Sequence, residues 1–207
     1  NYRFTKQPSI CIMIGITQRL EQNSTYYEIR EALSLEWGEL LSDIDFIPLS
    51  YTKPIEKYNI DGIILSGGND LSHLNPNNLS TLRDKYENNI IKYAIESNTP
   101  ILGVCRGAQM LAYHFDSTLQ KMPNHVNKNH TITFQDETYK VNSFHNYCIT
   151  KLGEKLQILA TADDDTIESF KHKDFPIFGM MWHIEREKIL STPSKEILES
   201  FFKYLKG

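Results

Sequence analysis

Apolar and polar positions fall into two regimes along the chain. Residues 9–17 (SICIMIGIT) form a continuous β-rich apolar run, the pattern of a strand buried on both faces. Residues 46–49 and 62–65 (GIIL) read as further short buried strands, and residues 100–104 (PILGV) as another. Helix-like stretches lie between them. Residues 25–41 open on Thr25 and Glu28, the spacing of a capping box, and carry Ile29, Leu33, Trp37, Leu40 and Leu41 at helical intervals. Residues 81–97 place Leu82, Tyr86, Ile90 and Ala94 on one stripe, and residues 106–115 have helical composition. This βαβα alternation predicts an α/β fold around a mostly parallel sheet.

Further on, the pattern changes. Residues 131–134, 139–144, 156–162, 167–170 and 177–182 read as short strands with few helices between them, which predicts a smaller antiparallel extension at one edge of the sheet. A last helix spans 194–205, with Pro193 suited to its first turn and Ile197, Leu198, Phe201, Phe202 and Leu205 on its inner stripe. No repeat, low-complexity tract or linker divides the chain, so residues 1–207 read as a single domain. That length excludes a multidomain synthetase carrying its own nucleotide-binding module.

Composition narrows the choice of function. Twenty-two basic and 26 acidic residues give a net charge of −4, which argues against a nucleic-acid partner. Hydrophobic residues at 40% and aromatics at 11% exclude a disordered chain. The cysteines are Cys11, Cys105 and Cys148; so sparse and odd a set is no disulfide framework and points to a reducing, cytoplasmic setting. The longest apolar stretch, residues 10–16, is far shorter than the roughly 20 residues of a membrane-spanning helix, so no membrane partner is expected. After Arg3 and Lys6 it faintly resembles a signal peptide. It lacks a small-residue cleavage site and ends at Gln18 and Arg19, so a buried strand is the better reading.

The most informative local feature is Gly103-Val104-Cys105-Arg106-Gly107. A cysteine between strand and helix, flanked by glycines, sits on a sharp turn that a substrate can approach. The helix N-terminus and a nearby imidazolium both favour a thiolate. On spacing alone, an ordinary buried cysteine is the commoner occupant of such a place. Cys11 and Cys148 lack the elbow and read as core residues.

A cysteine nucleophile needs a base. His183 ends a strand and is followed two residues later by Glu185, a spacing that can set the imidazole tautomer. A surface His-x-Glu pair fits the same spacing, and so do two metal ligands, although no third ligand stands at a telling interval. His73, His125, His130 and His172 lie in polar stretches and read as solvated. His114 reads as a packing or surface position, and His145 as a pocket-lining residue at a strand end. The turn over residues 66–70 (SGGND) offers backbone N–H groups to an oxyanion, or is simply a turn. No dinucleotide-binding or P-loop pattern occurs.

Taken in order, LSGGND (65–70), RDKYE (83–87), PILGVCRGAQML (100–111), VNSFH (141–145), TIES (166–169) and MWHIE (181–185) resemble the class I glutamine amidotransferase superfamily. The match is nearest to its γ-glutamyl hydrolase branch, of peptidase C26 type. The resemblance implies a three-layer αβα sandwich of flavodoxin-like form. It implies Cys105 as nucleophile, His183 as acid/base and Glu185 as its orienter. The backbone N–H groups of Gly68 and Arg106 would form the oxyanion hole. Gln109 and the Ser143–Phe144 backbone would hold the glutamyl end of a small γ-glutamyl substrate, with Asn69 and His145 beside them. It implies no metal and no organic cofactor, and it leaves open a homodimer. A glutaminase subunit feeding ammonia to a separate synthetase partner is the alternative. The chain departs from the family pattern at Ile184, where a proline is usual, at residues 116–119 (DSTL), where Gly-Gly-x-Leu is usual, and at Asn146, where a second histidine is usual. These departures fall where a leaving group would be recognised.

Overall fold

The computed structural model describes residues 12–123 and 125–205. Its first half alternates strands and helices: β1 Met13–Thr17, β2 Arg19–Gln22, β3 Ile29–Ala32, α1 Glu36–Leu40, β4 Asp45–Leu49, β5 Gly62–Leu65, α2 Asn78–Ser97, β6 Ile101–Val104 and α3 Arg106–His114. The second half is strand-rich: β7 Thr118–Lys121, β8 Val126–Phe134, β9 Glu137–Phe144, β10 Tyr147–Lys151, β11 Leu156–Ala162, β12 Ile167–His172, β13 Ile177–Met180 and the closing helix α4 Thr192–Phe202.

One mixed sheet runs in the order β4-β1-β5-β6-β13-β12-β11-β8-β9, with β10 on β12 and β7 on β10. The strands from β4 to β13 pair in parallel, and β12 turns the direction to antiparallel. β5, β6 and β13 are buried along their whole length, as strands covered on both faces must be. Their side chains alternate between two cores. Ile63, Leu65 and Ile101 pack with α2 and α3 on one face. Ile64, Leu102 and Val104 pack with Trp37 of α1 and with Ile197, Leu198 and Phe201 of α4 on the other. The αβα layering and the α/β class follow from that alternation.

Three readings need correction. The helix expected over 25–41 is mostly a hairpin, in which β2 pairs antiparallel with β3, and only Glu36–Leu40 is helical. The side chain of Asn23 accepts from the Thr25 backbone N–H at 2.9 Å, and Glu28 pairs with Arg30, so no capping box forms. Tertiary bonds outweigh the helical periodicity here: Glu31 accepts from the Tyr51 N–H at 2.8 Å and from Ser50 Oγ at 2.9 Å. Secondly, α2 begins at Asn78, capped by the Asn77 side chain, and Leu82 is exposed while Arg83 and Glu87 are buried with Tyr86 and Ile90. Thirdly, β7 and β10 are strands that residues 118–121 and 147–151 did not signal. The first strand starts at Met13; the expected start at residue 9 and Cys11 lie outside the described residues. Cys148 is fully buried, as expected of a core residue.

Candidate active site

β6 ends at Val104 and α3 begins at Arg106, which leaves Cys105 alone in the bend. Its backbone has φ 52° and ψ −106°, a conformation that costs an L-residue about 1–3 kcal/mol and persists only where its surroundings enforce it. The Cys105 N–H donates to the Met180 carbonyl at 2.8 Å, and its own carbonyl accepts from the Gln109 N–H at 3.0 Å. Gly107 lets the helix press onto the sheet: a Cβ there would stand 2.0 Å from the Leu65 carbonyl oxygen.

β13 delivers the facing imidazole. Trp182 is fully buried, its indole N–H donating to Ser194 Oγ at 2.8 Å. The His183 backbone is gripped on both sides by Asn142: its N–H donates to Oδ1 at 2.9 Å and its carbonyl accepts from Nδ2 at 2.9 Å. His183 Nδ1 lies 2.6 Å from Glu185 Oε1, and Cys105 lines the same cavity as the ring. Burial pulls the imidazole pKa down, but the adjacent Cys105 and Glu185 outweigh it and hold the value up at about 10. Gly67 clears the space for this ring; a Cβ there would stand 2.6 Å from His183 Cε1.

The RDKYE segment supplies the frame. Arg83 and Glu87 form a fully buried ion pair at 2.9 Å one turn apart on α2. Arg83 donates to the carbonyls of Ser66 at 2.7 Å and Gly67 at 2.9 Å, while Glu87 and Asp84 both hold the Arg106 guanidinium. Thr17 Oγ1 donates to Glu87 at 3.0 Å and accepts from the Ser66 N–H at 3.0 Å. One buried cluster thus ties the glycine turn to the start of α3. Its signal was present in the sequence: Arg83, Tyr86, Glu87 and Ile90 share the i, i+3, i+4, i+7 face of α2. A buried guanidinium–carboxylate pair on that face was not anticipated. Asn142 was likewise missed, since nothing local to a strand residue says that it will grip the backbone of a distant strand.

These elements enclose a cavity of about 350 Å³. Cys105, His183 and Glu185 line it, together with Gly68, Asn69, Arg106, Gln109, Phe144 and His145. Gly68 adopts φ 91°, and Arg106 is the first residue of α3, where a backbone N–H has no partner within the helix. Gln109 Nε2 donates to the Tyr147 carbonyl at 2.8 Å. The Asn69 amide is occupied by the backbone of Leu20, donating to its carbonyl and accepting from its N–H at 3.0 Å each. Ser143 is fully buried, and its hydroxyl donates to the His125 carbonyl at 2.5 Å. Phe144 meets the His183 ring edge-on at 5.6 Å, and Arg186 lies 4.5 Å over the Phe144 ring. Arg186 and Arg19 also line it, beside Asp70 and Ser34, and neither arginine was foreseen from the sequence. A thiol paired with an imidazole that is itself held by a carboxylate can deliver a sulfur nucleophile and return a proton to a leaving group.

The histidine readings divide. His73 is exposed, as expected, and stacks on Tyr113. The expectation that His125, His130 and His172 are solvated is wrong: His125 and His172 are buried, and His130 nearly so. His125, His130 and His145 gather around the fully buried Glu168. Burial pushes the Glu168 carboxyl upward, but the histidines gathered around it outweigh that and hold it down at about 2.

Residues 47–185 match the family model described as Peptidase C26. The chain belongs to the peptidase C26 family. It is 48% identical over 202 residues to the gamma-glutamyl-CDP-amidate hydrolase of Campylobacter jejuni, covering 94% of this chain and all of that one. Identity to a glutamine-hydrolyzing GMP synthase subunit of Methanosphaera stadtmanae is 30%, over 72% of this chain and 77% of that one. The solved glutamine amidotransferase of Methylobacillus flagellatus superposes with a TM-score of 0.68, at 11% identity, over 96% of both chains, a likeness of fold. Among the described residues of this C26 member, no helix is long and apolar enough to cross a membrane.

Proposed function

We propose that the chain hydrolyses the γ-glutamyl C–N bond of a γ-glutamylated nucleotide phosphoramidate, by way of Cys105, His183 and Glu185. The observation that carries this reading is the 48% identity, over the full length of the relative, to a gamma-glutamyl-CDP-amidate hydrolase. In this scheme the Cys105 thiolate attacks the γ-carbonyl carbon, and the oxyanion formed is met by the N–H groups of Gly68 and Arg106. Collapse breaks the C–N bond, and the His183 imidazolium gives its proton to the departing nitrogen. A water then attacks the thioester and yields its proton to His183, and glutamate leaves with Cys105 again a thiolate. Glu185 orients the imidazole throughout. The remaining expectations belong to the same proposal: no metal in the chemical step, Gln109 and the Ser143–Phe144 backbone on the glutamyl end with Asn69 and His145 beside them, and a cytoplasmic place in capsule polysaccharide modification. Arg19 and Arg186 on the cavity wall suit a diphosphate on the leaving group.

A second reading, a glutaminase subunit that serves a synthetase, is favoured by the similarity to a GMP synthase subunit. A panel of γ-glutamyl amides separates the two. Purified chain should release glutamate from γ-glutamyl-CDP-amidate with a kcat/KM at least a hundredfold above that for free glutamine. Preference for glutamine, with activity raised by a co-purifying synthetase, would replace the first reading with the second.

A further inference from the structure

His125, His130, His145 and Glu168 come from four places in the chain: the segment before β8, β8 itself, the end of β9 and β12. One donor atom from each lies within 4.8 Å of the others. Glu168 is 0% exposed, and His125 and His145 are each 3% exposed. Inside the cluster, His125 Nδ1, His130 Nε2, His145 Nε2 and both Glu168 oxygens are buried and make no hydrogen bond of good geometry. Leaving even one buried polar group unsatisfied costs about 1–3 kcal/mol, so five in one place call for a common partner.

The spacing says what that partner is. Glu168 Oε2 lies 3.3 Å from His130 Nε2, and Oε1 lies 3.7 Å from His145 Nε2 and 4.0 Å from His125 Nδ1. Two of these separations are too long for direct hydrogen bonds. Bonds of about 2.0–2.1 Å to a tetrahedral zinc ion place its ligands about 3.3–3.4 Å apart, so the four side chains, whose donor atoms lie within 4.8 Å of one another, need draw together by at most about 1.4 Å. Outer contacts aim the rings inward. His125 presents Nε2 to Asp164 Oδ2 at 2.8 Å, and Asp164 accepts in turn from the Thr166 hydroxyl at 2.7 Å. His145 Nδ1 faces Cys148 Sγ at 3.6 Å, leaving Nε2 turned toward Glu168. Carboxylate-to-histidine support of this kind is the usual outer shell of a zinc site.

We infer that His125, His130, His145 and Glu168 form a structural zinc site, separate from the Cys105 cavity and joined to it through His145. All four positions of a tetrahedral ion are filled by protein, so the site has no open place for a water or a substrate. The ion pins β8 and β12 to the end of β9, which carries Phe144 and His145 into the cavity wall. It acts by positioning that wall.

Metal analysis of purified full-length protein tests this. Wild-type chain is expected to hold about one zinc ion per chain by inductively coupled plasma mass spectrometry. After chelation and titration with Co²⁺ alone, it should show the visible absorption of a tetrahedral Co²⁺ centre. His130→Ala changes the most exposed ligand and should cut bound zinc at least tenfold, with Glu168→Gln behaving alike. Cys105→Ala should keep the full zinc content. Wild-type protein that holds neither stoichiometric zinc nor tetrahedral Co²⁺ would overturn the inference, as would zinc lost from Cys105→Ala or kept by a folded His130→Ala. These readouts do not depend on turnover, so they stand apart from the assignment of substrate.

Discussion

Gly67→Ala isolates the geometry of the imidazole from its chemistry. Gly67 follows β5 with no positive φ, so alanine is tolerated by the backbone there. The new methyl would lie 2.6 Å from His183 Cε1, whereas ordinary contact begins near 3.4 Å. Either the ring or the turn must give by about 0.8 Å, the difference between these distances. The turn resists, since Arg83 holds the carbonyls on both sides of the Ser66–Gly67 bond. The ring therefore moves, against a 2.6 Å bond to Glu185 and the paired bonds from Asn142. A misplacement of about 1 Å in a reacting group costs roughly 100-fold in rate, or about 2.7 kcal/mol of barrier. Glutamate release from γ-glutamyl-CDP-amidate should thus fall about 100-fold in kcat, while the urea midpoint moves little. A variant within threefold of wild-type kcat would refute the claim that His183 has one working position set by this glycine.

Other expectations follow from the same geometry. Cys105→Ala should abolish turnover with the cooperative thermal transition retained, and wild-type rates in that variant would remove Cys105 from the mechanism. Glu185→Gln keeps the shape beside His183 but loses the charge, and should lower kcat by about 10⁴ with the fold intact, as loss of an orienting carboxylate does elsewhere; a loss under tenfold would make Glu185 a structural residue. Glu87→Gln leaves Arg83 and Arg106 buried without their shared carboxylate, and should destabilise the chain by about 3–5 kcal/mol in urea denaturation; a change under about 1 kcal/mol would mean that the pair is solvated. His183 binds its proton more tightly folded, at about 10, than at its ordinary 6.5. Its contribution to stability is therefore complete below pH 6.5 and is lost as pH rises through 10. The urea midpoint should fall across that window in wild type, and fall less in His183→Ala; equal slopes would contradict the raised value.

The local chemistry was legible at the level of turns. Gly103, Cys105 and Gly107 announce a sharp bend because only small neighbours permit a helix to start against a sheet, and the bend lies where those residues put it. The buried strands β5 and β6 were equally plain, since a strand covered on both faces has no polar positions to alternate. The hairpin of β2 and β3 was not. Its residues carry helical spacing, and the β2–β3 ladder together with bonds from Asn69, Ser50 and Tyr51, distant in sequence, holds them extended.

Residue types and their order along the chain therefore determined the α/β class, the cysteine elbow and the His-x-Glu pair. They did so because each depends on a few neighbouring residues. What only the tertiary structure decided is the company those residues keep. Arg83 and Glu87 became a frame for the glycine turn because α2 lays them against Ser66 and Arg106. His125 and His130, polar loop residues by sequence, are drawn in with His145 around Glu168 because the antiparallel pairings of β8 with β9 and β11, and of β11 with β12, close over them. A histidine's surroundings, and hence its role, are set by strands far from it in sequence, and periodicity carries no record of them.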